Sequence, residues 1–245
     1  MKEYLREYGG VLPCGGKGLR LTTLAKDTPK SLFQVGGKEL IRHTVDVLDP
    51  EVIKRLVFAV DHKKEKIEAW VRSMKLPHVI HFSEQTGPGV LGAIVAGAKH
   101  VDEDCMVACN TDEIRLGLNL AEILNFHESH STLATMVVAY ANKLSRHRVV
   151  NIRESDNIVI RTRLKSEEYI NRPDEFGLVN TGFLIIEKEA MKHFDSGHSK
   201  DWAGIIDPLC EAGQLSAYVD GRIHYFNVGT PEEYEEARNY LEQYS

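Results

Sequence analysis

Short apolar runs alternating with helical stretches constrain this chain more than any other feature. Runs at 11–14, 56–60, 79–82 and 106–109 are too short for buried helices. They read as strands covered on both faces. Between them, 38–48, 62–74 and 91–99 carry helical periodicity, with Leu40, Ile41, Thr44, Val45 and Leu48 on one face of the first. A helix at 118–127 and a longer strand at 132–140 follow. This β-α-β-α order predicts a mostly parallel sheet with helices on both faces.

Beyond residue 140 the pattern changes. Runs at 149–152 and 158–162 flank Ser155-Asp156-Asn157 and read as a hairpin, while 167–176 is polar and loop-like. A strand at 178–186 precedes a helix at 202–212, stopped by Gly213. A strand at 223–228 leads to a helix at 231–244, with Thr230 as N-cap and Pro231 in the first turn. No repeat or linker divides the chain, so 1–245 reads as one domain. Its first half, to about residue 139, would bind the larger ligand; a β-insertion near 140–180 would face the second substrate.

Composition removes several classes. The net charge of −6 argues against a broad nucleic-acid surface. No apolar run approaches the roughly 18 residues of a membrane span. Residues 1–8 are charged and aromatic, unlike a secretory leader. The cysteines Cys14, Cys105, Cys109 and Cys210 read as reduced thiols of a cytoplasmic protein. His127 and His130 lack an acidic or cysteine partner at metal-ligand spacing, so they do not read as a metal pair. The run "DHKKEKIE" reads as the solvated face of a helix.

The chemistry concentrates in "VLPCGGKGLRLTTLAKDTPKSL". Gly15, Gly16 and Gly18 follow a strand, where glycines let backbone N–H groups approach phosphate. A hydrolase P-loop requires Gly-Lys-Ser/Thr, which is missing. The dinucleotide fingerprint requires a third glycine where Leu21 stands.

The stretch "GGKGLRL…TPKSLFQVGGKELI" instead resembles the signature of the sugar-1-phosphate nucleotidylyltransferases. "EQTGPGVLGAI", "VACNTDEI", "LVNTGFLII" and "YFNVGTPEEYEEA" resemble four further segments of that family, across nearly the whole chain. The resemblance implies a single-domain Rossmann-like fold, a mostly parallel mixed sheet flanked by helices with a small β-insertion. It implies that Arg20 and Lys30 bind the reacting phosphates, and that Leu12, Gly15, Gly16, Gly18, Glu84, Gln85 and Gly89 surround the nucleotide. Glu84 and Gln85 remain rival readers of the base edge. Asp112 and Asn227 would hold Mg2+, and Asn180 and Lys165 the sugar phosphate, with Arg161 and Arg163 as rivals to Lys165. Three positions depart from the pattern: Leu19 for the usual Thr, Thr111 for Gly, and Asn227 for Asp.

The implied reaction joins an NTP to a sugar 1-phosphate of hexose or heptose type, releasing pyrophosphate. Its nucleophile is an anionic phosphate oxygen, so no general base is required and none is apparent. Fixed positive charge is the requirement, because two polyanions must meet. An acceptor such as phosphocholine, or binding of nucleotide sugars without turnover, remains open on these residues. So does a related glycosyltransferase, although "NTDE" lacks the first Asp of an Asp-x-Asp motif. Many relatives are oligomers, so the resemblance also leaves a homo-oligomer open.

Overall fold

A nine-stranded mixed sheet organises the protein. The computed structural model describes residues 6–15, 27–164, 175–195, 197 and 199–244. In chain order the strands are β1 (Tyr8–Pro13), β2 (Gln34–Val35), β3 (Lys38–Glu39), β4 (Ile53–Val60), β5 (Val79–Glu84), β6 (Cys105–Cys109), β7 (Glu113–Leu116), β8 (Ala134–Ala141), β9 (Arg148–Arg153), β10 (Ile158–Leu164), β11 (Gly177–Glu187), β12 (Leu215–Val219) and β13 (His224–Asn227). The helices are α1 (Leu40–Val45), α2 (Lys64–Met74), α3 (Gly89–Ala98), α4 (Leu120–Glu128), α5 (Ala203–Glu211) and α6 (Pro231–Tyr244).

The strand order is β5-β4-β1-β6-β11-β8-β12-β10-β9. The first four strands are mutually parallel. β11 then runs antiparallel to both β6 and β8, and β12 is parallel to β8. The expected mixed, largely parallel sheet is therefore present.

The unbroken apolar runs follow from burial on both faces. Leu12, Phe58 and Val107 pack into one core cluster, and their neighbours Val11, Val57 and Ala108 pack into another. Successive strand residues point to opposite faces, so a strand covered on both sides needs apolar residues at every position.

The hairpin expected between 140 and 180 is present as β9 and β10, which pair antiparallel. β9 and β10 extend the main sheet at its edge, through Ile158↔Ser216 and Val179↔Val149. Its turn has Asn157 at φ 55°, with Arg153 bonded to Asp156. The structure corrects several sequence expectations. The helix expected from 62 starts at Lys64, because Lys63 adopts φ 57°. The strand expected at 223–228 pairs with β7 in a separate two-stranded ladder. β7 itself was missed, because its buried positions carry Glu113 and Arg115.

A polar node ties α4 to the sheet. His127 Nδ1 lies 2.8 Å from Thr135 Oγ1, and its Nε2 lies 3.1 Å from Glu187 Oε1 and 3.7 Å from Cys105 Sγ. Arg6 donates to Glu187 Oε2 at 2.7 Å. His127 thus has the cysteine and acidic partners that sequence spacing did not provide, because β6 and β11 deliver them from distant parts of the chain. Burial keeps His127 below its ordinary pKa, against the opposing pull of Glu187. Burial alone would raise Glu187, but bonds from Arg6 and His127 hold it below the usual range.

Both shifts have one sign. A lowered folded pKa means the unfolded chain binds protons more readily as pH falls, so stability is present above the unfolded pKa and lost below it. For His127 that loss starts near the ordinary histidine value, about 6.5. The melting temperature should fall between about pH 7 and pH 5. His127→Gln should melt lower at pH 7 but with a shallower pH slope. His43 and His78, also held low by burial, would supply the residual slope. Parallel melting-temperature curves for the two proteins, followed by circular dichroism, would contradict this role.

Candidate active site

Four parallel strands end on one edge of the sheet, and each contributes the residues just beyond it. β1 continues into Gly15, β4 into Asp61, β5 into Gln85, and β6 into Asn110, Thr111 and Asp112. Backbone bonds fasten these exits together: Cys14 N to Ala59 O at 2.8 Å, and Gln85 N to Val60 O at 3.1 Å. The C-terminal edge of a parallel sheet is where open α/β folds bind ligands. Here it opens into a cavity of about 450 Å3, whose lining includes Gly15, Lys30, Asp61, Gln85, Gly89 and Asp112.

Lys30 heads a 3-10 turn, Lys30–Leu32, set off by Pro29. Its ammonium lies 2.5 Å from Asp112 Oδ2, and only 11% of its side chain is exposed. The next residue anchors it. Ser31 Oγ lies 2.8 Å from Thr111 Oγ1, which donates to Pro13 O at 2.8 Å. The hydroxyl of Thr111 therefore joins the Lys30 turn to the ends of β1 and β6. The departure at Thr111 from the pattern's Gly acquires a physical role.

Beneath this edge lies a buried ion pair. Arg115 donates to Glu113 Oε2 at 2.7 Å, to Thr181 O at 2.7 Å and to Gly182 O at 3.2 Å. Tyr225 donates to Glu113 Oε1 at 3.0 Å. Burial pushes the Glu113 carboxyl up to about 7 against the pull of Arg115. Gly182 has φ 63°, and a Cβ there would lie 2.2 Å from Glu113 Oε2, so glycine permits this approach. Asn110 completes the floor, with its N–H on Gly182 O at 2.9 Å and its side-chain oxygen accepting from Trp202 at 3.2 Å.

Of the residues singled out from sequence, Gly15, Lys30, Gln85, Gly89 and Asp112 meet on this cavity. Arg20, Gly16, Gly18 and Lys165 lie outside the described residues. Leu12 is fully buried in the core and does not line the cavity. Glu84 and Gln85 separate. Gln85 turns inward, its amide bonded to Gly87 O at 2.6 Å and Gly89 O at 2.8 Å. Glu84 does not line the cavity; its side chain is 74% exposed and paired with Lys64. Asn180 turns to its own strand, accepting from Gly182 N at 3.0 Å. Asn227 is one strand from Asp112: it pairs with Glu113 in the β13–β7 ladder, and Val228 N reaches Asp112 O at 3.3 Å.

Asn227 lines a second cavity of about 360 Å3, together with Tyr140, Arg146, His147, Phe176 and Tyr240. Tyr140 and Phe176 stack there at 5.3 Å. Sequence reading missed Asp61, Ser31, Asn110 and Asp201. Asp61 could have been found, since it follows the last apolar residue of a parallel strand. Asp201 carries no such local signal.

Gly15, a largely buried lysine and an aspartate meet on the C-terminal edge of a parallel sheet, the ligand-binding edge of an open α/β protein. The chain belongs to the nucleotidyl transferase family, whose model matches residues 10–244. It is similar to D-glycero-alpha-D-manno-heptose 1-phosphate guanylyltransferase of Campylobacter jejuni, 25% identical over 91% of this chain and 96% of that one. It is also similar to mannose-1-phosphate guanyltransferase of Schizosaccharomyces pombe, 25% identical over 90% of this chain and 60% of that one. The chain therefore spans nearly all of the first relative and about three fifths of the second. Among solved structures, HddC from Yersinia pseudotuberculosis complexed with GMP-PN shares the fold, at TM-score 0.75 and 21% identity, over 97% of this chain and 100% of that one.

Thr111→Val should lower stability by about 1–3 kcal/mol by stranding the buried polar partners of the hydroxyl. It should also loosen the Lys30 turn, reducing turnover more than nucleotide binding, while Thr111→Ser restores both. Urea unfolding and steady-state kinetics measure the two effects. A valine variant with unchanged stability and turnover would remove Thr111 from this account.

Proposed function

We propose that this protein is a Mg2+-dependent sugar-1-phosphate nucleotidylyltransferase, condensing an NTP with a sugar 1-phosphate to an NDP-sugar and pyrophosphate. The observation that carries this reading is the Lys30–Asp112 pair, held at 2.5 Å on a cavity that also presents Gly15 and Gly89. The relatives named above act on heptose 1-phosphate and mannose 1-phosphate, which supports a sugar phosphate as the second substrate.

A phosphate oxygen of the sugar phosphate attacks the α-phosphorus, and the bond from that phosphorus to pyrophosphate breaks. Charge accumulates on the phosphate oxygens, and preorganised cations stabilise it. Lys30 supplies a compact charge already fixed beside the cavity. Arg20, on the glycine turn in the sequence, would grip the leaving phosphates through its planar fork.

The oxygen donors Asp112, beside Lys30, and Asn227, on the ladder that follows Asp112, are of the kind a hard divalent cation takes. Asp112 offers a carboxylate and Asn227, on the paired strand, an amide oxygen; oxygen ligands and phosphate suit Mg2+. When bound, the ion would neutralise phosphate charge. The second cavity, with its stacked aromatics beside Asn227, is the natural place for the acceptor. Its wall carries Glu233 and Glu236 as well as Arg146 and His147, so the lining alone suits either acceptor, and the sugar phosphates of the relatives favour a sugar 1-phosphate over a quaternary ammonium. The reaction belongs in the cytoplasm, where NTPs are made. No described helix is long and apolar enough to cross a membrane.

The test is pyrophosphate release with Mg2+, crossing five NTPs with a panel of sugar 1-phosphates and phosphocholine. One NTP and one sugar phosphate should release pyrophosphate together, and chelation with EDTA should stop it. Lys30→Ala should cost on the order of 100-fold in kcat, the scale of losing one preorganised charge-stabilising donor. Release with phosphocholine alone, or with no pair in the panel, would overturn the reading.

A further inference from the structure

The nucleotide cavity has two chemically different ends. The strand order β5-β4-β1-β6 sets Lys30 and Asp112 at the β6 end and Asp61 and Gln85 at the β4–β5 end. β5 and β6 are three strand spacings apart, roughly 14 Å, enough for phosphates at one end and a base at the other.

The β4–β5 end is built from acceptors. Gln85 spends both amide hydrogens on the carbonyls of Gly87 and Gly89, at 2.6 and 2.8 Å. Its Oε1 is left facing Gly15, where a Cβ would lie only 2.7 Å from it. The same Cβ would lie 2.9 Å from Asp61 Cβ, so Asp61 and Gln85 converge over the bare backbone of Gly15. Among the described residues Asp61 has no hydrogen-bond or ion-pair partner. The lysines that follow it are engaged elsewhere: Lys64 with Glu84, and Lys63 and Lys66 with Asp27.

We propose that Asp61, with Gln85, selects guanine, by accepting hydrogen bonds from its N1–H and exocyclic 2-amino group. This deepens the nucleotidylyltransferase reading and rests on it. A carboxylate has acceptors only, and guanine alone among the common bases presents two adjacent N–H donors on its Watson–Crick edge. Adenine places an acceptor, N1, beside its amino group, and cytosine places N3 there. Uracil and thymine flank one N–H with two carbonyls, which a carboxylate repels. Asp61 is exposed in the free protein; a base seated on it would displace its water, so an analogue lacking the donors would leave the carboxylate unpaired. Asp61 is thus a specificity-determining residue, separate from the groups that handle phosphate.

Calorimetric titration of the full chain with Mg2+ and GTP, ITP, XTP, ATP, CTP or UTP tests this without knowledge of the acceptor. The wild type should bind GTP most tightly. ITP, which lacks only the 2-amino group, should bind about tenfold or more weakly, as expected for half of a bidentate base contact. Asp61→Asn should lose about 10- to 100-fold for GTP and gain affinity for XTP, whose C2 carbonyl accepts from the new amide. Equal affinity for GTP and ITP in the wild type would overturn the inference even if the variant failed to fold. So would tighter binding of another NTP, or an unchanged GTP preference in Asp61→Asn; each of these leaves the nucleotidylyltransferase reading standing. Failure of the wild type to bind any NTP would overturn that reading, and the inference with it.

Discussion

The candidate site depends on β6 and the direction of the strands beside it. β6 is buried along its whole length, parallel to β1 on one side and antiparallel to β11 on the other. Because β1 and β6 point the same way, the residues after each emerge on the same edge. Because β11 points the other way, it brings Asn180 and Gly182 back to that edge from the second half of the chain. A parallel sheet alone would have to borrow all its site residues from strand ends. The antiparallel partner adds residues from inside a strand and closes the floor beneath Asn110.

That floor is polar, which is unusual for a core. Arg115 and Glu113 are both buried, and removing an ion pair from water costs several kcal/mol per ion. The cost is offset by saturation: Arg115 reaches Thr181 O, Gly182 O and Glu113, while Tyr225 completes the carboxylate. Such a network has few alternative arrangements, because each unpaired member would carry a desolvation penalty. It holds β7, β11 and β13 in fixed relation, and so fixes where Asp112 and Asn227 stand with respect to each other.

The two ends of the nucleotide cavity show a division of labour. At the β6 end the electrostatics are cationic and paired, with Lys30 held by Asp112 and its turn tied through Ser31 and Thr111. At the β4–β5 end they are acceptor-rich and open, with Gln85 oriented by two backbone carbonyls. The first arrangement suits phosphate of any nucleotide, and the second offers the acceptors that the proposed base contact requires. Gly15 lies against the second end, where a side chain would collide with Asp61 and Gln85.

Much of this was legible in the residues. Continuous apolar runs forced two-faced strands, and their alternation with amphipathic helices forced a largely parallel sheet. Gly15 followed from position, since glycines just past a parallel strand gather at the ligand edge, whereas Lys30 and Asp112 were marked by the resemblance of their segments to the nucleotidylyltransferase pattern. Other features required the folded chain. The cysteine and acidic partners of His127 come from strands 22 and 60 residues away, so no local spacing could reveal them. β7 escaped notice because its buried ion pair breaks the apolar pattern. The choice between Glu84 and Gln85 turns on which way a strand end points, and only the β4–β5 register decides it. Local sequence determined which elements form and which end of each carries chemistry, because those depend on side-chain periodicity and backbone propensity. Tertiary structure decided which groups meet, because contact across a sheet depends on strand order and register, which propensity does not encode.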